Sequence, residues 1–433
     1  MARTNKFILE YKEVIGNLQI DYNSIKPPKR TMRRFIRLLK DIDDTRVAGM
    51  IDYPLEEIIV IVFLAILGNA NGWHEIALFG KVHKKWLGKF LRLENGIPSH
   101  DTFRRVFSLI KSEQLSAVTV AFVAENITKI KKSLKIDSQS KCHIIVDGKE
   151  GKGTGRKHNT DEEIRNLQTL HVYDNSNAIC LFSEMIDTKT NEIPVAQKIL
   201  SNMELKNSIV SFDALNTQQK TVEIIIAQKG DYVGALKANH GIFEEEVRTF
   251  FHQDEMDKIR NKSVDYLKTT EKSHNQVETR EFFLTRDIQW FQELADWRGL
   301  KSFLCYQKRF VNVITGKETI ETRYFIASVT DVKLCADVIR GHWGIENTLH
   351  WHLDVNFSED ENSTIDKNAF NNLSIINKMV LSLLKLAQPI FDYHSIRSMR
   401  KEFSWNLEDN LCKVLNFFDE EKLLAAIEKA NKK

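Results

Sequence analysis

The stretch IRGHWGIENTLHWHLDVNFSEDENS, residues 339–363, surrounds one central glutamate with aromatic, histidine and amide side chains and closes with a run of acids. At helical spacing, His342, Glu346 and His350 recur at every fourth position and share one face of a helix. Two tryptophans lie off this stripe, where they can anchor the helix in the protein or contact a nucleic-acid base. An amphipathic helix that only packs against a core rarely combines so many polar side chains with tryptophans. The pattern indicates a functional site around Glu346.

Two β-branched runs upstream each end in an aspartate. The first, HIIVDGK at 143–149, contains Asp147, and the second, SIVSFDA at 208–214, contains Asp213. Polar side chains at the ends of apolar strands reach the cleft of an α/β enzyme. A solvated surface role explains them poorly, because an unpaired charge at the end of a buried strand is costly. With Glu346 they form a set of three carboxylates drawn from distant parts of the chain.

Three carboxylates favour hard divalent cations. Oxygen ligands with room for water suit a pair of Mg²⁺ or Mn²⁺ ions. Two such ions activate a water or hydroxyl nucleophile and stabilise the departing oxygen of a phosphodiester. Two acids compete for the third position: Glu192, which precedes Asp213 in the chain, and Glu359, which lies where a turn is expected. We expect Asp147, Asp213 and Glu346 to be the catalytic and metal-binding residues.

At these residues the chain resembles the DDE-type insertion-sequence transposases, and more narrowly the branch that includes the H-repeat-associated proteins of bacterial Rhs elements. The similar stretches follow the family order from about Asp41 to Lys385. The long run around Glu346 is the specific part, whereas a short match alone would carry little weight. The stretches are GIPSHDTFRRVF (96–107), DGK (147–149), KTNEIP (189–194), FDALNTQ (212–218), DYVGALKANH (231–240), VETR (277–280), RYFIAS (323–328) and HWGIENTLHWHLDVNFSED (342–360).

This resemblance implies a fold and a reaction. The fold would be α/β, with a ribonuclease H-like catalytic core that has a β-rich insertion and follows an all-helical N-terminal domain. The reaction would be cleavage and strand transfer at the ends of an insertion sequence, with two Mg²⁺ (or Mn²⁺) ions. The partners would be double-stranded DNA, as terminal inverted repeats and as target, and a second protomer during synapsis. Two alternatives stay open: a catalytically inactive DNA-binding remnant, and a nuclease that cleaves without joining.

One departure from the wider superfamily concerns the residues that flank the glutamate. Cut-and-paste transposases often have an arginine four positions before it and a lysine seven after it, where this chain has His342 and Leu353. HWxIEN is the usual form in the closer branch, so the difference weakens only the wider analogy. We expect Arg340, His342 and His350 to supply phosphate contacts instead.

The N-terminal segment is a candidate for DNA contact. Residues 1–40 contain ten Lys or Arg residues but only three acids. Arg30, Arg33 and Arg34 recur there at helical spacing and form a cationic stripe. Such a stripe fits a solvated helix face or a contact with the phosphate backbone.

Other candidate DNA contacts are scattered through the chain. Lys149 begins a cationic, glycine-containing loop, and Lys237 stands at the end of a predicted strand. Arg280 and Trp297 belong to the predicted insertion. The tryptophan could stack on an unpaired base, although a core position is the simpler role. Weaker candidates are Lys84, Lys85, Arg104, Arg105, Arg298 and Arg323.

Sequence pattern predicts the strands around the two aspartates. Alternating segments at Leu167–Tyr173 and Ala178–Met185, separated by a DNSN turn, predict a hairpin after the first aspartate. After the second aspartate, QQKTVEIIIAQKG predicts a helix closed by Gly230, and Asp231–Lys237 predicts another strand. Three antiparallel strands followed by a β-α-β unit are what the ribonuclease H-like fold would show.

Composition restricts the kinds of site and the cellular compartment that the chain can have. The chain has 433 residues and a net charge of only +3, so DNA contacts would come from local patches. Five scattered cysteines without a CxxC pair argue against a zinc site and a disulfide framework, and they fit a reducing cytosol. No signal peptide is recognisable, and the most apolar run, residues 58–67, is shorter than the roughly 20 residues of a bilayer span. We expect a cytoplasmic, nucleoid-associated protein without membrane contact.

The patterns divide the chain into four segments. Apolar residues at helical spacing dominate its first third, and a basic, serine-containing stretch separates this part from the first aspartate strand. The predicted segments are a basic N-terminal segment (1–40), a helical, transposase-associated DNA-binding domain (41–135), a ribonuclease H-like DDE domain (140–390) with a β-rich insertion at about 241–330, and a helical C-terminal tail (391–433).

Overall fold

The structure is a computed structural model that describes residues 29–133, 141–157, 163–164, 166–186, 191–262, 264–273, 276–391 and 394–417. Most of the basic N-terminal segment and the end of the C-terminal tail therefore lie outside the described residues. The described chain has a mixed α/β fold in which helices surround a large mixed sheet.

Residues 29–133 fold into helices and contain no strand. The helices are α1 (Lys29–Leu39), α2 (Leu55–Leu67), α3 (Trp73–Val82), α4 (Lys84–Leu87), α5 (His100–Leu109) and α6 (Ser112–Ser133). Helix α2 contains the apolar run 58–67 and is buried almost completely, so it is a core helix. The Ser99 side chain accepts a hydrogen bond from the Thr102 amide and caps α5.

Nine strands form one mixed sheet, and two very short strands pair separately. The strands are β1 (Cys142–Gly151), β2 (Arg156–Lys157), β3 (Glu163–Ile164), β4 (Leu167–Asp174), β5 (Ile179–Ile186), β6 (Ser208–Phe212), β7 (Asp231–Leu236), β8 (Tyr266–Ser273), β9 (Gln276–Thr285), β10 (Ser302–Asn312) and β11 (Glu318–Ala327). The order across the sheet is β5-β4-β1-β6-β7-β11-β10-β9-β8. Strands β1, β6 and β7 are parallel, and the other neighbouring pairs are antiparallel. The predicted hairpin β4–β5 is confirmed.

Two helices connect the parallel strands. Helix α7 (Glu192–Ser201) lies between β5 and β6, and α8 (Gln219–Ala227) lies between β6 and β7, which confirms the predicted β-α-β unit. Along β1, Ile144 and Val146 pack in the same hydrophobic cluster as these helices, whereas Ile145 packs in the cluster on the opposite face. Because strand residues alternate between faces, the residue after Val146 points to the same side as Ile145.

The predicted insertion is β-rich, but its strands continue the central sheet instead of forming a separate subdomain. After α9 (Ile242–Phe250) and α10 (Gln253–Arg260), the chain builds β8 to β11, and β11 pairs antiparallel with β7. The edge of β7 would otherwise leave a row of backbone N–H and C=O groups without partners. The insertion therefore extends the sheet that carries the two aspartates.

The C-terminal helices complete the core that the N-terminal helices begin. They are α11 (Val332–His342), α12 (Trp351–Phe357), α13 (Lys367–Ala387), α14 (Ile396–Trp405) and α15 (Leu407–Phe417), and short 3₁₀ turns occur at Ala48–Met50, Lys152–Thr154, Ala238–His240, Leu294–Asp296, Glu359–Glu361 and Gln388–Phe391. Helix α13 is buried along its length and packs against α2, α5, α6 and β5. The apolar side chains of α13 therefore form part of the core. One hydrophobic cluster joins α1–α6 to α13–α15.

None of the helices in the described part of the chain is by itself both long and apolar enough to cross a bilayer. Helix α5 together with Ser112–Lys129 of α6 has the length and composition of a span, but this pair is bent by 98°.

Candidate metal centre

Two adjacent parallel strands bring the two aspartates to one edge of the sheet. Asp147 lies in β1, and Asp213 directly follows β6. The register pairs Val146 with Phe212, so the two aspartates stand at the same level along neighbouring strands. The carboxyl ends of parallel strands are where polar side chains reach a cleft.

The third acid reaches this edge from a π-helical turn. Residues Glu346–His350 form the turn between α11 and α12, and the Trp351 amide donates to the Glu346 carbonyl across the wider π spacing. The regular helical spacing assumed from the sequence is therefore interrupted within the stretch. Such single π turns occur frequently at functional sites.

Asp147, Glu346 and His350 form one compact group. Ligand atoms of the three side chains all lie within 4.8 Å of one another. The Nδ1 atom of His350 is 3.5 Å from Oε2 of Glu346 and 3.9 Å from Oδ2 of Asp147. Asp213 lies outside this group, although it is close enough to influence the titration of Asp147. The structure thus brings together two predicted acids and a histidine that the sequence assigned to phosphate contact.

Burial and neighbouring charges both perturb the centre. The pKa of Asp147 is raised to about 7, mainly by burial; the nearby acids Glu346, Asp213 and Glu192 act in the same direction, while His350 opposes the shift. The hydrogen bond from His350 lowers the pKa of Glu346. A concentration of acids in which one carboxyl resists ionisation would be stabilised by a cation.

Glu192 is a fourth acid of the site rather than a substitute for the third. It begins α7, and its carboxylate lies so close to Gly148 that a Cβ atom on this glycine would overlap it. The Asn216 side-chain amide donates to Glu192 at 3.4 Å and to Asp213 at 3.2 Å, which links the two acids. Burial, followed by the charge of Asp213, raises the pKa of Glu192. The KTNEIP stretch was the available signal for it, but spacing alone could not show that it approaches Asp213.

Glu359, the other competing acid, serves a different network. It is 3% exposed and accepts a hydrogen bond from Ser374. The Lys149 ammonium lies 3.5 Å from Glu359, 2.6 Å from Asp354 and 3.5 Å from Asp360. Lys149 is therefore buried in ion pairs that join β1 to the segment after the π turn. This contradicts its predicted position in a loop that contacts phosphate.

A chain of three side chains fixes the end of α11 against the sheet. Nδ1 of His342 is 3.0 Å from Oγ of Ser211, which is 2.8 Å from Nε2 of His143. Burial lowers the pKa of His342 to about 4, while the charges of Asp213 and Glu346 act in the opposite direction. His342 thus lies beside the acids, and its ring is neutral near pH 7.

Lys385 supports the π turn from the core. Its ammonium donates to the carbonyl of Thr348, in the middle of the turn, and lies 3.4 Å from the hydroxyl of Tyr173. Burial lowers the pKa of Lys385 to about 7. A buried lysine at this position satisfies a backbone carbonyl that the irregular turn leaves available.

Two arginines proposed as DNA contacts have acidic partners within the protein. Arg340 is 2.6 Å from Glu271, and Arg280 is 3.1 Å from Glu271 and 2.6 Å from Glu278. Both guanidinium side chains are largely buried. Arg340 thus joins α11 to β8, whereas Arg280 pairs with acids inside the β8–β9 hairpin.

Trp297 occupies the core, which was the simpler of its two predicted roles. It is 5% exposed, and its ring centroid lies 5.0 Å from that of Phe243. An indole in this position is not available for stacking on a base.

The cationic stripe of α1 divides between two environments. Arg30 and Arg33 lie on the exposed side of the helix. Arg34 faces α6, where its guanidinium lies 5.0 Å from the ring of Phe122 and 3.5 Å from Glu125. Only part of the predicted stripe therefore faces solvent.

Lys237 and Trp351 remain exposed near the acids. Lys237 directly follows β7, and the parallel register of Phe212 with Gly234 places it at the edge that carries Asp213. Its charge also affects the titration of His342. Trp351 follows the π turn and is 48% exposed.

The donor set fits a divalent cation. Two carboxylates and one imidazole lie within reach of a common ion, and further carboxylates stand beside them. Carboxylate oxygens are ligands of Mg²⁺ and Mn²⁺, and imidazole is a common ligand of transition metals. The composition of the site therefore matches a metal centre rather than a purely structural ion-pair network.

Family models cover both parts of the chain. The model described as "Transposase DDE domain" matches residues 138–383, and the model described as "DDE_Tnp_1-associated" matches residues 19–123. The chain therefore belongs to the transposase DDE domain family, and this membership supports a transposase function. The family also implies divalent metal ions.

Individual relatives place the chain more narrowly. It is 30% identical over 373 residues to "Putative transposase YncI" of Escherichia coli O157:H7, which covers 84% of this chain and 90% of the relative. It is 28% identical over 380 residues to "H repeat-associated putative transposase YhhI" of Escherichia coli strain K12, covering 86% and 95%. These relatives confirm the resemblance to the H-repeat branch.

A solved structure was also found by fold comparison. It is the cryo-EM structure of a piggyBac transposase synaptic complex with hairpin DNA, with 12% identity and a TM-score of 0.39. The alignment covers 96% of this chain and 82% of the other.

Proposed function

We propose that this protein is a metal-dependent DDE transposase that cleaves DNA at the ends of an insertion sequence and transfers the freed strand to a target. The single observation that carries this proposal is the meeting of Asp147 and Glu346 beside Asp213 at one sheet edge. These acids come from three distant parts of a chain that belongs to the transposase DDE domain family.

The order of the strands supports a ribonuclease H-like core for this reaction. The hairpin β4–β5 extends β1 antiparallel, and β6 and β7 follow in parallel on its other side. The first aspartate lies in the central strand of this set, and the second follows the adjacent parallel strand. This placement agrees with the fold that the resemblance implies.

The three acids are the residues that would hold divalent ions at this site. Such ions would supply activation of the attacking oxygen and stabilisation of the departing one. Asp147 interacts electrostatically with both Glu346 and Asp213, so all three carboxylates would contribute to the same centre. His342, neutral and bound to Ser211, would hold the end of α11 in place rather than carry charge to a phosphate.

The exposed basic residues suggest where DNA would approach. Lys237 stands at the edge that bears Asp213, and Trp351 lies exposed just beyond the π turn. An ammonium can contact a phosphate, and an exposed indole can stack on an unpaired base. Arg30 and Arg33, on the exposed side of α1, are additional candidates.

A strand-transfer assay would test the proposal. Purified full-length protein would be mixed with Mg²⁺ and a labelled duplex that carries the inverted repeats flanking its gene. We expect joined products, and we expect Asp213→Asn to abolish them. Glu361→Gln is the matched control, because it removes a charge from an exposed residue in the nearby acidic run.

The products separate the alternatives. Cleavage without joining would identify a nuclease, and a mobility shift without cleavage would identify a DNA-binding remnant. Undiminished strand cutting by Asp213→Asn would contradict the proposed chemistry directly.

A further inference from the structure

His350 is buried beneath the acids of the candidate metal centre and is not exposed beside them. The residue is 3% exposed, and its Nδ1 atom faces both Glu346 and Asp147. A DNA phosphate outside the protein has no access to a ring buried to this degree. The imidazole instead directs one nitrogen between two acids, where a cation held by them would lie.

The other ring nitrogen has a separate partner. Nε2 of His350 is 3.0 Å from Nδ1 of His171, which lies in β4 directly opposite Asp147 in the strand register. His171 is 1% exposed, and its Nε2 atom has no hydrogen-bond partner among the described residues. Only one hydrogen can occupy the space between the two facing nitrogens. With a hydrogen on Nδ1, His350 donates to Glu346 in the metal-free protein. When Nε2 carries the hydrogen instead, Nδ1 presents its lone pair to the space between the acids, where a cation would lie.

We propose that His350 is a nitrogen ligand of one divalent ion, together with Asp147 and Glu346, and that His171 orients its ring. This inference rests on the proposed function, because it specifies the ligands of the same metal site. Histidines that bind metals usually engage their second ring nitrogen in a hydrogen bond, which sets the tautomer and the ring orientation. The His171–His350 pair has this form, with a buried imidazole as the acceptor.

A nitrogen ligand changes the metal preference of the site. Mg²⁺ strongly prefers oxygen, whereas transition metals accept imidazole more readily. Replacement of His350 should therefore weaken the binding of Mn²⁺ more than the binding of Mg²⁺. Asp213 and Glu192, which lie outside the compact group, would leave the other ion with oxygen ligands only.

A competing role for His350 is that of a counter-charge. A protonated imidazole between two carboxylates would neutralise them without any metal. In that case an incoming ion would displace the imidazolium, and no nitrogen would be bound to the metal. The two roles predict different spectra for the protein loaded with Mn²⁺.

Pulsed electron paramagnetic resonance of the full-length protein with Mn²⁺ alone, without DNA, would decide between them. A directly bound imidazole produces a ¹⁴N coupling to the Mn²⁺ electron spin, and labelling the protein with ¹⁵N-histidine must change that coupling. We expect the coupling in the wild-type protein. Its absence while Mn²⁺ is bound, or a failure of Mn²⁺ to bind, would overturn the inference without any variant.

Three variants assign the nitrogen. His350→Gln should remove the coupling and weaken Mn²⁺ binding by at least about tenfold. His352→Gln is the matched control, since His352 is on the same segment but bonds to Asn356 at 2.7 Å. His171→Gln should keep the coupling while weakening Mn²⁺ binding roughly tenfold, as expected for an orienting residue. A coupling that survives in His350→Gln would overturn the assignment.

The failure of this inference is distinguishable from the failure of the proposed function. The spectra require no DNA and no catalysis, so a nitrogen coupling in a protein that joins no strands would support the ligand set alone. Strand transfer with Mg²⁺ by a protein that shows no nitrogen coupling would support the transposase and refute the role of His350.

Discussion

The two sides of the metal centre are positioned by different physical means. Asp147 and Asp213 belong to adjacent parallel strands, and the backbone ladder between Val146 and Phe212 sets their relation. Glu346 and His350 belong to a π turn whose place depends on side chains elsewhere. The position of Asp147 and Asp213, the strand side of the centre, should tolerate changes in many neighbouring side chains. The position of Glu346 and His350, the turn side, depends on a few buried contacts.

Three contacts hold the turn side in place. Lys149 reaches from β1 to the acids that follow the turn, Lys385 donates to a carbonyl within it, and His342 binds Ser211 just before it. All three involve titratable groups with little exposure. We therefore expect a substitution on the strand side to abolish strand transfer without unfolding the protein. A substitution on the turn side should instead displace the turn or lower the free energy of unfolding.

The largest expected effect is on the strand side. Asp147→Asn should reduce strand transfer by about a thousandfold or more, since the loss of metal-assisted charge stabilisation costs several kcal/mol. The variant should nevertheless fold, because the ladder of β1 does not depend on this side chain. Initial rates of strand transfer, with circular dichroism as the folding control, would measure both. A variant that transfers strands at the wild-type rate would disprove the role of the residue.

The same variant has a predictable pH dependence of stability. The pKa of Asp147 is raised from 3.8 to about 7, so the folded protein retains this proton where the unfolded chain has lost it. The free energy of unfolding of the metal-free wild type should therefore fall, relative to Asp147→Asn, as the pH rises from about 4 to about 7. Urea unfolding at pH 5 and pH 8 would measure this difference. An equal response of both proteins to pH would contradict the burial of the carboxyl group.

The next effect is on the turn side and is one of stability. Lys149→Met leaves buried acids without their cation and should lower the free energy of unfolding by about 3–5 kcal/mol. Lys152→Met is the matched control, because Lys152 pairs with the same Asp360 but its side chain is 72% exposed. It should change stability by less than about 1 kcal/mol. Equal losses in urea unfolding would show that the buried network is not what supports the turn.

Lys385 tests both the geometry of the π turn and the pH dependence of stability. Lys385→Met removes the donor to Thr348 and should slow strand transfer about 10–100-fold, as expected for a supporting contact. Burial lowers the pKa of Lys385 from 10.5 to about 7, so the folded protein releases this proton before the unfolded chain does. Wild-type stability should thus rise, relative to the variant, between about pH 7 and pH 10. Lys367→Met, at the exposed start of the same helix, should alter neither quantity.

The smallest expected effect concerns Lys237, which is exposed at the sheet edge that carries Asp213. Lys237→Gln should weaken DNA binding several-fold and reduce the slope of log affinity against log salt by about 1, as for the loss of one phosphate contact. The control is Lys301→Gln. The backbone amide of Lys301 donates to the carbonyl of Ala327, which places Lys301 at the end of the sheet opposite to Lys237. Fluorescence anisotropy with labelled duplex at several salt concentrations would give both slopes. Identical slopes for the two variants would exclude Lys237 as a contact.

Most of the strand side was predicted from the sequence. Apolar β-branched runs that lead to an aspartate predict both strands, because this pattern is local. The end of β1 was not predicted, since the strand continues past Asp147 to Gly151 and the Asp147 carboxyl group is largely buried. The helix between β6 and β7 and the hairpin β4–β5 were predicted for the same reason. Glu346 was found from the density of polar and aromatic residues around it, which is also a local signal.

The partners of buried charges could not be predicted in this way. The sequence pattern treats Lys149 and Arg340 as unpaired cations, but each pairs with an acid from a remote segment. Such pairings depend on which elements pack together, and a one-dimensional pattern does not contain that information. The continuation of the sheet through β11 was missed because strand order is likewise a long-range property.

The sequence by itself therefore determined which residues are proposed to carry the chemistry: two aspartates on or directly after neighbouring strands, and a glutamate in a polar, aromatic stretch. Only the tertiary structure decided how they are arranged, including the π turn, the fourth acid Glu192 and the buried pair of His350 and His171. The physical reason is that residue type and short-range periodicity specify local exposure, whereas the approach of distant side chains follows from the packing of the whole core.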